Sequence, residues 1–83
     1  MPYETVKQAG KISIGTKQAT KLIEAGLAKE VFVAKDADLR VTSKVIALCK
    51  KMGILVTYVD SMKQLGKACG IEVGAAIVAV VNE

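Results

Sequence analysis

Two hydrophobic periods take turns along this chain, and a layered α/β fold satisfies both. Short alternating or wholly apolar runs read as strands, and apolar residues recurring every three or four positions read as helices. Lys11-Ile12-Ser13-Ile14 alternates and stops at Gly15, while Val31-Phe32-Val33-Ala34 is apolar throughout, the pattern of a strand covered on both faces. Ile54 to Val59 reads as a further interior strand, and Ala75 to Val81 as a last one rich in Val and Ala. Between them lie three helical stripes. Ala19, Leu22 and Ile23 mark a helix from Thr16 to Ala25 that closes at Gly26. After a polar connection from Lys35 to Leu39, Val41, Val45, Leu48, Cys49 and Met52 mark a second helix, closed by Gly53. Met62, Leu65 and Cys69 mark a third, ending at Gly70; Asp60 or Ser61 offers its N-cap, and Ser61 with Gln64 has capping-box spacing. A short opening helix is expected from Pro2 through Tyr3, Val6 and Ala9 to Gly10. Strands alternating with helices predict an α/β sandwich around a sheet of about four strands.

At 83 residues this is one domain, residues 1–83, without linker, repeat or low-complexity tract. Absent residue types narrow its chemistry. There is no His, which removes imidazole acid–base catalysis and His-ligated metal sites. The two cysteines, Cys49 and Cys69, lie in helical stripes, cannot make a four-Cys zinc site, and read as core packing. With no paired carboxylates or activated nucleophile either, the chain reads as a non-enzyme needing no metal or cofactor. The aromatics Tyr3, Phe32 and Tyr58 are too few for a base-stacking platform. No apolar run approaches the roughly 18 residues of a membrane span, and Met-Pro-Tyr-Glu does not open a signal peptide, so the expected setting is the cytoplasm. Twelve Lys/Arg against eight Asp/Glu give a net charge of +4, which suits an anionic partner.

Gly10 to Lys17 resembles a phosphate-binding loop but fails it, because Thr16 precedes Lys17 where the motif needs Lys before Ser/Thr, and a strand occupies the loop. The stronger signal starts at Gly15. Glycine permits a tight strand-to-helix turn and a close approach by a ligand, and the amides after it form a helix N-terminus suited to phosphate. Lys17, Gln18 and Lys21 fall on one side of that helix, nearly opposite Ala19, Leu22 and Ile23. An ordinary solvated face has the same composition, but two cations in the first turns oppose the helix dipole, which an anion there would relieve. The second candidate is the loop Ile71-Glu72-Val73 between Gly70 and Gly74, whose apolar side chains either tuck into the core or cover a ligand.

Three segments, Gly15-Thr16-Lys17-Gln18-Ala19-Thr20-Lys21, Val33-Ala34-Lys35-Asp36-Ala37-Asp38 and Leu65-Gly66-Lys67-Ala68-Cys69-Gly70, occur in an order and spacing that resembles the kink-turn RNA-binding ribosomal-protein superfamily. That superfamily includes the archaeal seven-Ae and eukaryotic thirty-e proteins, and this chain looks most like its short bacterial members. The resemblance spans essentially the whole chain. It implies a three-layer α/β/α sandwich with a mixed central sheet that binds RNA bent at a bulge beside sheared G·A pairs. It assigns the groove contact at those pairs to Gly15, Thr16, Lys17, Gln18 and Lys21, a further contact to Asp38, and the bulged nucleotides to Ile71, Glu72 and Val73. The chain departs from the superfamily pattern at Lys17-Gln18, where many members carry Asn-Glu, and at Leu39, where Pro is common. Gln keeps an acceptor without the Glu charge, and Lys donates only.

The implied partner is RNA containing a kink-turn, within rRNA or a structured mRNA leader, with the ribosome as a candidate neighbour and a monomer as the expected state. The rival reading is a ribosome-associated protein–protein adaptor with only non-specific RNA affinity.

Overall fold

The computed structural model describes residues 12–81, so the expected opening helix and the Lys11 start of the first strand lie outside the described residues. Strand β1 spans Ile12–Ile14, helix α1 Thr16–Glu24, β2 Ala28–Ala34, α2 Leu39–Met52, β3 Leu55–Val59, α3 Met62–Ala68 and β4 Ile77–Val81. The four strands form one mixed sheet in the order β1-β4-β2-β3. β4 runs antiparallel to both β1 and β2, with Ser13 opposite Ala79 and Phe32 opposite Val78, while β3 lies parallel to β2.

The period-2 rule holds even inside the wholly apolar runs, because the sheet is covered on both sides. Val31 and Val33 of β2, with Ile77 and Ala79 of β4, face Ala19 and Ile23 of α1 and Val45 and Cys49 of α2. Their neighbours Phe32, Ala34, Val78 and Val80 face the opposite way, onto Leu65 of α3 with Ala37, Val59 and Ala75. Two helices on one face and one on the other make the three layers expected. Cys49 is buried and Cys69 half-buried, both as free thiols that burial pushes above the ordinary 9.0, consistent with packing.

The elements differ from expectation in four main places, the first being β4, which begins at Ile77 rather than Ala75 because the Ala75 N–H donates to the Met62 carbonyl of α3 rather than to a strand. β2 begins at Ala28 rather than Val31, because exposed Lys29 and half-buried Glu30 break the apolar run while the strand continues through an irregularity in its pairing with β4 between Ala28 and Glu30. Glu30 is held there by the Thr57 hydroxyl, which donates to its carboxylate at 2.7 Å. α2 begins at Leu39 rather than Val41, because Asp38 caps it, its carboxylate accepting the Arg40 N–H at 2.9 Å. β3, read as interior, is an edge strand: among the described residues it pairs with β2 alone, and Leu55 and Tyr58 are 63% and 49% exposed. A continuous apolar run does not distinguish a strand covered on both faces from an edge strand with apolar residues left in solvent.

Candidate nucleic-acid interface

Strand directions bring the segments that begin at Gly15 and Val33, together with the loop into β4, to a single edge of the sheet. β1, β2 and β3 all end where β4 begins, so the turn after β1, the loop after β2, the start of α3 and the loop leading into β4 are neighbours. Backbone hydrogen bonds stitch the edge together. The Gly15 N–H donates to the Ile77 carbonyl at 2.9 Å, the Ala34 N–H to Ala76 at 3.0 Å, and the Lys35 N–H to Val59 at 2.8 Å.

Gly15 sits at φ 103° and ψ 153°, a conformation that residues with a Cβ rarely adopt. A Cβ there would meet no protein atom within 4 Å, so conformation rather than crowding demands the glycine, and the space beside it is open. As the α1 N-cap, Gly15 contributes no side-chain hydrogen bond, and the first turn carries no acid. That N-terminus therefore presents its amide dipoles outward with Lys17 and Gln18 exposed beside them and Lys21 one turn on. Ala19 and Ile23 are fully buried and Leu22 packs beside them, which fixes the rotation of the helix and hence the direction of the basic face. The Thr20 hydroxyl donates back to the Thr16 carbonyl at 2.7 Å.

Next to the turn, α1 and α2 flank an open groove of about 440 Å³ in which Thr16 and Thr20 stand across from Arg40 and Lys44. Arg40 was not singled out from the sequence; its position two residues after a capping Asp was the available signal. Its guanidinium meets the Asp38 carboxylate at 3.0 Å, and together with the backbone N–H it holds the Asp38 carboxyl below its ordinary 3.8. Asp38 is thus both helix cap and ion-pair partner, and its carboxylate orientation is set by Arg40. Leu39 is the first helical residue and 74% exposed. Proline also suits this first helical position, whose N–H needs no partner within the helix.

The loop from Gly70 to Gly74 divides the open alternative for its two apolar residues. Ile71 packs partly against the core cluster beneath α3, whereas Val73 is 71% exposed and Glu72 is exposed. Asp36, which the sequence places in the polar connection and in the second of the three segments, has a structural role that spacing does not reveal. Its carboxylate accepts the Met62 N–H at 2.8 Å, tying the loop after β2 to the first residue of α3. Ser61 is the N-cap of that helix and accepts the Gln64 N–H at 3.2 Å, as its spacing implied.

Comparison with known proteins adds to this geometry. Residues 3–83 match the family model described as ribosomal protein L7Ae/L30e/S12e/Gadd45. A protein of Geobacillus thermodenitrificans strain NG80-2 named "RNA-binding protein" is 56% identical over 82 residues, covering 99% of this chain and 100% of the relative. "RNA-binding protein YbxF" of Geobacillus stearothermophilus is 57% identical over the same shares of the two chains. Among solved structures, the Giardia lamblia 15.5kD RNA binding protein superposes with a TM-score of 0.89 at 26% identity, over 99% of this chain and 72% of its own. With nearly the full length matched in sequence and the same layered sheet in space, this chain belongs to the L7Ae/L30e/S12e/Gadd45 family of ribosomal proteins.

Proposed function

We propose that this chain is an RNA-binding protein, not an enzyme, that recognises and stabilises kink-turns. The observation that carries the reading is the convergence, at one sheet edge, of an uncapped helix N-terminus flanked by Lys17 and Gln18, the Asp38 loop and the exposed Val73 loop. The RNA-binding names of its relatives agree with it. Lys17 and Lys21 supply charge to a backbone that brings phosphates together. Gly15 and Thr16 let the turn approach the opened groove, and Gln18 reads base edges at the sheared pairs, its amide able both to donate and to accept. Ile71 forms the floor and Val73 the exposed apolar cap for unstacked nucleotides, with Glu72 and Asp38 offering acceptors to their amino and hydroxyl groups. Binding only the bent form shifts the RNA population by the differential affinity, without chemistry. The protein works as a monomer in the cytoplasm, on rRNA or a structured mRNA leader, with the ribosome as neighbour.

The test is a titration of two matched hairpins, one with an intact kink-turn and one with its sheared G·A pairs replaced by Watson–Crick pairs. A preference of about tenfold or more for the first, equivalent to about 1.4 kcal/mol, is expected near physiological salt. Equal binding to both with a steep salt dependence would overturn the reading in favour of a protein adaptor with a generic basic face.

A further inference from the structure

The structure assigns Asp36 as a positioning residue that sets the Ile71–Gly74 loop through helix α3, without being counted among the RNA-contacting residues. This inference rests on the kink-turn reading for its functional consequence. The linkage itself is a continuous set of contacts. The Asp36 carboxylate accepts the Met62 N–H at 2.8 Å, and the carbonyl of the same Met62 accepts the Ala75 N–H at 3.0 Å. One residue of α3 is thereby bonded to the loop after β2 on its amide side and to the strand-entry segment on its carbonyl side.

Two glycines make the second half of the linkage close-packed. A Cβ on Gly66 would collide with the Val73 carbonyl oxygen and come within 3.1 Å of the Gly74 Cα. A Cβ on Gly74 would lie 3.0 Å from the Met62 Cβ and 3.2 Å from its carbonyl carbon. Neither glycine has a positive φ, so contact rather than backbone conformation selects them. The Ile71 N–H closes the loop by donating to the Gly66 carbonyl at 3.0 Å. With the loop backbone pressed against α3 at both Met62 and Gly66, a shift of α3 carries Val73 with it. What fixes the start of α3 is Ser61 from within and Asp36 from across the site edge. Asp36 lies two residues from Asp38, in the short loop that leads from β2 into α2. The Ala34–Ala76 and Lys35–Val59 backbone bonds anchor the ends of the strands, and the Asp36 carboxylate adds the side-chain bond that ties this loop to α3 itself.

The experiment uses the full chain with Asp36→Ala and Asp36→Asn, read by amide hydrogen exchange on the free protein and by hairpin titration. In Asp36→Ala, exchange at Met62, Ile71 and Ala75 should accelerate by about fivefold or more while the central strand amides of β2 and β4 hold, and Asn, which keeps the acceptor oxygen, should restore most of the protection. Affinity for the intact hairpin should fall by about fivefold with Ala and much less with Asn. That loss should shrink when the bulged nucleotides are made abasic, or when Val73→Gly is already present, because Asp36 acts through the loop. Unchanged exchange at Ile71 and Ala75 would overturn the linkage. An equal loss on intact and abasic-bulge hairpins would overturn positioning in favour of a direct contact or a general loss of stability. If the parent protein shows no preference for the kinked hairpin, the functional reading fails while the exchange comparison still decides the linkage.

Discussion

Gln18 and Lys21 of α1 and Asp38 before α2 belong to one proposed interface, yet substituting each should produce a different experimental signature. Replacing Lys21 by Ala removes one exposed cation, so binding should weaken and its logarithmic salt dependence should flatten by about one unit of slope or less. Unaltered binding across a salt series would place the RNA elsewhere on the surface. Replacing Gln18 should instead erode discrimination between sheared and Watson–Crick pairs, by about 1–3 kcal/mol, with little change in salt slope. Asp38 carries a pH signature. Its carboxyl is held below 3.8 in the folded protein by Arg40, so the stabilisation it provides is complete above that value and is lost as pH falls through the lower folded one. Thermal melts through the acid range should therefore show a parent whose midpoint drops further than that of Asp38→Asn, which has no charge to lose. The basic and amide face of α1 was legible in the sequence because helical angle alone separates Lys17, Gln18 and Lys21 from Ala19 and Ile23. Asp36 was not legible, since its partner Met62 lies 26 residues away in another element.

At the level of elements, the helices and strands were readable wherever one residue's environment followed from its neighbours. Glycine stops after α1 and α2 and the Ser61 cap before α3 are local signals, and all three fall where the spacing placed them. Element starts governed by partners were missed. Glu30 joins β2 because both β4 and β3 offer it a ladder, with Lys29 at an irregularity in the β4 pairing, and β3 is an edge because no strand among the described residues lies beyond it in the sheet order. The α3–loop contact is an element-scale feature with its own expected outcome. Gly66→Ala forces a methyl into the Val73 carbonyl, so denaturant unfolding should show a loss of about 1–3 kcal/mol, as overpacking in a core does. Gly15→Ala should cost a similar amount, about 1–3 kcal/mol, for the opposite reason: open space but a backbone conformation that alanine resists. A neutral Gly66→Ala would mean that α3 and the loop are not tightly coupled.

For the whole molecule, the +4 net charge and the mixed sheet have separate consequences. Charge governs encounter with RNA; the sheet governs whether the proposed binding edge exists at all. A ligand that binds only the folded state should raise its stability by about 2.7 kcal/mol at a hundredfold excess over Kd, so at equal concentration the intact hairpin should raise the melting temperature further than the Watson–Crick hairpin, whose tenfold weaker binding gives only about 1.4 kcal/mol. The strand order carries one more consequence, for synthesis. β4, the last of the four in chain order, is the strand that joins β1 to β2. As a nascent chain leaves the ribosome, β2 and β3 can pair early, but β1 has no neighbour to accept it. Phe32 and Val33 have no strand on the β4 side until Ile77–Val81 emerges. A chain stalled before Ile77 should therefore be cut readily by protease throughout residues 12–76, and emergence of Ile77–Val81 should close the sheet in a single cooperative step. Folding, on this topology, waits for translation to deliver its final strand.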